Sequence, residues 1–524
     1  MRKSGVLMHI SSLPSPHGIG SMGKPARDFV DFLDKAGQAY WQILPVCPTS
    51  YGDSPYQSFS TFAGNPYFID LDELCKAGYL KRKEYAGIDW ESEPDRVNYE
   101  ALYNKRYVVL RKAAERFLEN PEDGYKEFCH DNKSWIYDYA LFMALKDANG
   151  GKSWLEWDEP LKKRYDDAIN IAKEEHKEDI NFWIIMQYFF FKQWNELRAY
   201  ANEKNIEIIG DLPIYVALDS VDVWANPGLF QLDDNLNPTD VAGCPPDGFS
   251  ATGQLWGNPL FRWDVMKADG YKWWIKRIDA ACRIYNVLRI DHFRGFDEYY
   301  AIPYGESTAE NGTWMPGPGM KLFQAIEKEL GRPEIIAEDL GFLTESVLQM
   351  LKESGFPGMK VLQFAFDPSG ESVYLPHRYS ENCVVYTGTH DNDTTRGWYR
   401  TLDKESRDFA KEYMGVSRLD DDTLTWDFMR LAMGSAAQLC VTPIQDILGI
   451  DGSGRINMPS TLGGNWTWQM EKGAFDKKIV HKLYRMTQLY GRLNEQIKKQ
   501  PEPGMENLKC KEKRVGKNKK LRKE

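Results

Sequence analysis

An α/β protein built on a (β/α)8 TIM barrel is what this sequence predicts, on three observations. Eight short β-rich runs recur along the chain, at 5–14, 40–46, 207–216, 286–293, 334–340, 359–366, 383–391 and 439–448, each ending in polar residues. Most are near-continuous apolar runs rather than alternating ones, as strands buried on both faces of a parallel sheet must be. Helical patterns lie between many of them. Eight βα units in one chain close most economically into a barrel, with an open doubly wound sheet as the competing arrangement.

In chain order, the first run is followed by a helical pattern over 25–36, and between them lies Gly18-Ile19-Gly20-Ser21-Met22-Gly23. This fits GxGxxG, but the stretch 11–17, with two prolines, separates strand from glycines. The tight strand–turn–helix that aims helix amides at a pyrophosphate cannot form, and a shaped loop is the better account. The stretch between the second and third runs is too long for one crossover and carries helical patterns at 99–118, 135–148 and 166–204, so a helical insertion is expected at about 47–200. Its greasy stretch 182–191 is interrupted by Gln187 and is about half of the ~18 residues a membrane span needs. Met186, Phe190, Trp194 and Leu197 recur at helical spacing, which predicts a buried helix.

The third run is followed by 217–264, with Pro227, Pro238, Pro245, Pro246 and many glycines, read as a loop-rich lid. A helix is expected over 264–285 before the fourth run, and 303–319 after it reads as irregular. Helices at 320–330 and 343–354 precede the fifth and sixth runs. Insertions after strands 2, 3 and 4 would sit at the C-terminal mouth of the barrel, where active sites are built. The catalytic unit is thus expected to cover 1–508, leaving a basic tail at 509–524.

With 524 residues, 42% hydrophobic and 27% charged, the chain has the balance of a soluble folded protein, and the length alone would suggest three or four domains; the strand count reduces these to one enlarged barrel. The net charge of −11 argues against nucleic acid or an anionic membrane as partner. The tail holds nine Lys and Arg against two Glu, which leaves the body at about −18. The N-terminus lacks the apolar core and cleavage site of a secretory signal, so a cytoplasmic location is expected. Eight cysteines without a CxxC, and eight histidines without HExxH, favour neither a disulfide framework nor a zinc site.

Chemistry concentrates at the strand ends. Arg289 and Asp291 alternate onto one face, and an Arg beside an Asp holds that carboxylate ionised, as a nucleophile requires. Glu338 follows three apolar residues, where desolvation raises a carboxyl pKa toward that of a general acid. Asp391 ends the seventh run, and Asp211 lies in the third. Unpaired buried carboxylates cost several kcal/mol each, so acids converging on one rim point to chemistry. Metal-assisted enolate formation would ask for a Lys base; glycoside cleavage would ask for His, Arg and aromatic neighbours that bind hydroxyls and ring faces. The chain supplies His9, His292, His390, Arg289, Tyr56, Trp256 and Trp314 near these strands and loops.

Arg289-Ile290-Asp291-His292, Glu338 with Asp339, and His390-Asp391, in that order on a (β/α)8 pattern, resemble the signature regions of the α-amylase clan. Further segments resemble its 4-α-glucanotransferase (amylomaltase) branch, glycoside hydrolase family 77: Gly52-Asp53-Ser54-Pro55-Tyr56, Gly210-Asp211-Leu212-Pro213, Pro245-Pro246-Asp247-Gly248-Phe249, Gly253-Gln254-Leu255-Trp256, Asn457-Met458-Pro459 and Gly464-Asn465-Trp466. The resemblance runs from about residue 4 to 500. It implies a retaining transferase without metal or organic cofactor, acting on α-1,4-glucans, maltooligosaccharides and glucose. By the same resemblance Asp291 is the nucleophile, Glu338 the acid/base and Asp391 the third carboxylate. Tyr56, Asp211, Asp247, Trp256, Arg289, His292, His390 and Asn465 become substrate-binding positions. An α-glucan hydrolase is the alternative; a non-catalytic glucan-binding relative would be expected to have lost one of the three acids.

Overall fold

Among the described residues the chain forms twelve strands: β1 (Lys3–Leu7), β2 (Tyr40–Gln42), β3 (Glu207–Leu212), β4 (Asp240–Cys244), β5 (Gln254–Pro259), β6 (Val287–Ile290), β7 (Glu298–Pro303), β8 (Thr313–Pro316), β9 (Ile335–Ala337), β10 (Gly358–Val361), β11 (Cys383–Tyr386) and β12 (Leu439–Pro443). The structure, a computed structural model, describes residues 2–494 apart from Tyr51, 247–249 and Leu462. The basic tail 509–524 and Asp247 therefore lie outside the described residues.

Eight strands pair in parallel in the order β10-β11-β12-β1-β2-β3-β6-β9, and the Ala337 amide donates to the Pro357 carbonyl at 3.0 Å to bring the two ends together as a barrel. All eight expected runs contain a strand of this sheet. The strands are shorter than the apolar runs because the runs include the loops that follow. His9 precedes a 3-10 turn at Ile10–Ser12, and the last run turns after Pro443 into the helix Ile444–Leu448.

The stretches read as loop-rich and irregular contain regular structure. β4 and β5 lie within 217–264 and β8 within 303–319, and with β7 they form an antiparallel sheet in the order β5-β4-β7-β8. These strands are short and end in or border prolines, so their local pattern gave no strand period. The pattern over 264–285 is two helices, Trp263–Ala268 and Lys272–Ile284, parted where Gly270 and Tyr271 take φ of 79° and 61°. Likewise 166–204 is Asp166–Glu175 and Lys177–Glu203, meeting at His176.

The helical insertion shares one apolar core with the barrel. Lys177–Glu203 buries Met186, Phe190, Trp194 and Leu197 completely. Gln187, the polar residue in that greasy stretch, is buried too, and its amide accepts from Gly64 N at 2.7 Å and donates to Gly64 O at 3.0 Å. A side chain on Gly64 would strike the Phe190 ring at 2.0 Å, so the helix lies directly on the loop after β2. That loop carries Tyr56 toward the barrel mouth. At the GxGxxG segment, a Cβ on Gly20 would meet the Ile10 carbonyl oxygen at 1.8 Å, which makes the glycines a close-packed loop against the first strand end. No helix among the described residues is long and apolar enough to cross a membrane.

Candidate active site

Asp291 and Glu338 directly follow β6 and β9, neighbours in the barrel, and Asp391 stands beyond β11. Alternation along β6 puts Arg289 on the face of Asp291, and the register sets Asp211 of β3 opposite Arg289. Arg289 Nη1 donates to Asp291 Oδ1 at 2.9 Å and reaches both Asp211 oxygens at 2.7 Å. Tyr56 Oη donates to Asp211 Oδ2 at 2.8 Å. Burial works against the Arg289 charge, but the carboxylates of Asp211 and Asp291 outweigh it and hold its pKa well above the ordinary value. The guanidinium is therefore a permanent positive charge against Asp291.

Exposure separates these acids by task. The Asp211 side chain is 0% exposed and that of Asp291 28%. Of the two readings of Asp211, substrate contact and support of strand geometry, this placement favours support: its carboxylate lies beneath the mouth and is occupied by Arg289 and Tyr56. Arg289, 3% exposed, likewise faces carboxylates rather than open space.

Glu338 is the opposite kind of carboxyl. It is buried, with Oε2 accepting from the His292 amide and Oε1 from the Leu340 amide, both at 2.7 Å. Burial and the nearby Asp291 charge push its pKa up to about 8, against the opposing pull of Arg289 and the two amides. At neutral pH Glu338 carries a proton. A charged carboxylate beside a protonated one is the division of labour that acid-assisted displacement needs.

Burial pushes His292 down to about 4 and, together with the neighbouring His390 ring, pushes His9 down to about 3, so these two imidazoles are held neutral. His292 takes a left-handed φ of 52°, meets the Trp256 ring edge-on at 4.8 Å, and its buried Nε2 has no protein partner. A buried ring nitrogen without a partner is unfavourable, so the position suits a ligand hydroxyl. His390 lies under Tyr56, rings 5.1 Å apart and nearly parallel at 15°, with Nε2 3.4 Å from Asp391 Oδ2. Trp466 tilts against Tyr56 at 5.7 Å and His390 at 6.1 Å, completing an aromatic wall beside the third acid.

In the loop after β12, Asn465 spends its amide on its own loop, accepting from Met458 N at 3.0 Å and donating to Thr461 O at 3.2 Å and Oγ1 at 3.1 Å, an arrangement that closes the loop. Asn457, which sequence reasoning passed over within the same segment, donates from Nδ2 to Asp391 Oδ1 at 2.7 Å. Arg455 Nη2 donates to the Asp391 carbonyl at 3.1 Å and its Nε to the Asn457 carbonyl at 2.8 Å. The Asn-Met-Pro and Gly-Asn-Trp segments were both visible; which of their asparagines meets the acid depends on the loop's path.

A family model described as 4-alpha-glucanotransferase matches residues 8–475. A 4-alpha-glucanotransferase of Clostridium butyricum is 49% identical over 487 residues, spanning 93% of this chain and 100% of that protein. One from Thermus thermophilus is 46% identical over 501 residues, 94% of this chain and 99% of that one. Among solved structures, the amylomaltase of Streptococcus agalactiae in complex with acarbose superposes with a TM-score of 0.92 at 44% identity, covering 94% of this chain and 100% of that chain. The amylomaltase of Corynebacterium glutamicum, at 19% identity and a TM-score of 0.77, shares the fold and covers 93% of this chain and 75% of its own.

Proposed function

The chain belongs to the 4-alpha-glucanotransferases of glycoside hydrolase family 77, and from that premise we propose that it is a retaining transferase working through a covalent glycosyl-enzyme on Asp291. In this reading one Asp291 oxygen attacks C1 of a donor α-1,4-glucan. Protonated Glu338 gives its proton to the glycosidic oxygen, and the leaving segment departs with a free 4-hydroxyl. The β-linked glycosyl-enzyme then meets an acceptor glucose or maltooligosaccharide. Glu338, now a carboxylate, takes the proton of its 4-hydroxyl as that oxygen displaces Asp291, and an α-1,4 bond re-forms.

The observation that carries the reading is the pairing of two carboxyls in opposite states: Asp291 bonded to a fixed cation, and Glu338 buried with its pKa at about 8. The other groups have supporting parts. Asp391 is 45% exposed at its side chain and braced by Asn457, which suits a carboxylate that binds sugar hydroxyls. The His292 Nε2 and the His390 ring offer hydrogen-bonding nitrogens, and Tyr56 and Trp256 offer ring surface beside them. Donors and acceptors are α-1,4-glucans, maltooligosaccharides and glucose, handled in the cytoplasm, with no metal or organic cofactor in any step.

Incubation with maltotriose tests this. Glucose together with a ladder of longer maltooligosaccharides is the expected outcome. Steady release of reducing ends without longer products would replace the transferase with an α-glucan hydrolase on the same acids.

A further inference from the structure

The loop that follows Glu338 carries a feature the catalytic groups leave unused. Phe342 is 78% exposed, the most exposed large apolar side chain among the described residues. Its backbone is nevertheless fixed: Leu340 N is bonded to Glu338 Oε1 at 2.7 Å, and the Phe342 carbonyl accepts from Arg294 Nη1 at 2.7 Å. Arg294 is itself buried, its guanidinium packed on the Trp314 ring of β8 with 3.8 Å to the centroid. The antiparallel sheet thus braces the strand-end loop and leaves a phenyl ring in water, where it forgoes the stabilisation that burying it would give. A fixed backbone with an exposed ring is the arrangement of a contact surface.

We propose that Phe342 is a stacking platform for the acceptor glucan, setting which acceptors the glycosyl-enzyme accepts. This rests on the transferase reading above. Glu338 works at the oxygen shared by donor and leaving group, so the segment running outward from it flanks the leaving-group side, which the acceptor later occupies. Tyr56, His390 and Trp466 form the aromatic wall beside Asp391, the side that the proposed reaction gives to the donor sugar. A hexose presents an apolar C–H face to a phenyl ring, and at this position the partner is continuous with the catalytic groups.

The test uses 4′-deoxy-α-maltosyl fluoride, which lacks the terminal 4-hydroxyl and cannot act as its own acceptor, as donor and maltose as acceptor. In Phe342→Ala the KM for maltose should rise about 3- to 10-fold, the effect of one lost ring contact, while fluoride release without acceptor stays at the unsubstituted rate. Phe342→Trp should restore the low KM and Phe342→Leu should not, since an aliphatic side chain supplies area without a ring face. An unchanged maltose KM in Phe342→Ala, or an equal fall in acceptor-free fluoride release, would overturn the proposal. If the unsubstituted enzyme forms no tetrasaccharide at any maltose concentration, the transferase reading itself fails, which the variants alone would not produce.

Discussion

The floor of the site and its rim are built on different principles. On the floor, Asp211, Arg289, Asp291 and Glu338 sit on or directly after adjacent barrel strands and are held by ion pairs and backbone amides. On the rim, Asp391, Asn457, Trp256 and Phe342 belong to strands or loops beyond the barrel; Asp391 and Phe342 are more exposed than the floor, and Asp391 is braced by a side-chain bond from the buried Asn457 of another loop. The floor fixes protonation states, because burial and a permanent cation act on groups that cannot move away. In the proposed reaction the rim is the part that positions the sugar, because exposed groups can bind and release it. Substitutions should therefore separate into those that abolish the chemistry and those that alter its partners.

The largest effect is expected for Asp291→Asn, a loss of transfer of about 10⁴-fold or more for every donor, including glycosyl fluorides, since the attacking oxygen is gone. Glu338→Gln should lose about 10²- to 10⁴-fold with maltotriose, yet much less at the first step with a glycosyl fluoride, whose leaving group needs no proton. Rates of fluoride release against rates of maltotriose consumption separate the two floor residues.

The pH dependence follows from the raised pKa of Glu338. Only its protonated form donates to the leaving oxygen, so kcat/KM for maltotriose should hold below about 8 and fall roughly tenfold per pH unit above it. With the fluoride donor that alkaline limb should vanish from the first step. A limb retained unchanged with the fluoride would assign it to another group.

On the rim the effects are smaller. Asn457→Ala removes one bond to Asp391, and loss of a hydrogen bond to a charged group corresponds to about 10-fold or somewhat more in kcat/KM. Asn465→Ala should instead lower the stability of its loop with little change in KM, because its amide never leaves that loop. Equal kinetic effects of the two would erase the distinction between a residue that braces the acid and one that closes a turn.

The same division explains what could be read in the amino-acid order. Barrel strands announce themselves because a doubly buried strand must be apolar throughout, and the acids announce themselves as exceptions at the ends of such runs. Arg289 and Asp291 were legible as a pair because alternation along a strand is strict. The rim was not. β4, β5 and β8 are short, border prolines and glycines, and looked like Pro/Gly loops. Asp211 was legible as a rim acid, but its burial beneath Tyr56 follows from the path of a loop inserted after β2, which no local pattern encodes. Asn457 and Asn465 lie in one short polar segment, and only the turn between them, held by Thr461, decides which one meets Asp391.

The central claim, that Asp291 attacks while buried Glu338 handles the proton, is tested most directly by trapping the intermediate in Glu338→Gln. Treatment with α-maltosyl fluoride should charge this variant and leave it unable to discharge quickly. Mass spectrometry of the intact protein and its peptides should then find one maltosyl unit on the peptide containing Asp291. A label on a different residue, or turnover to a product of inverted configuration without any label, would contradict the account.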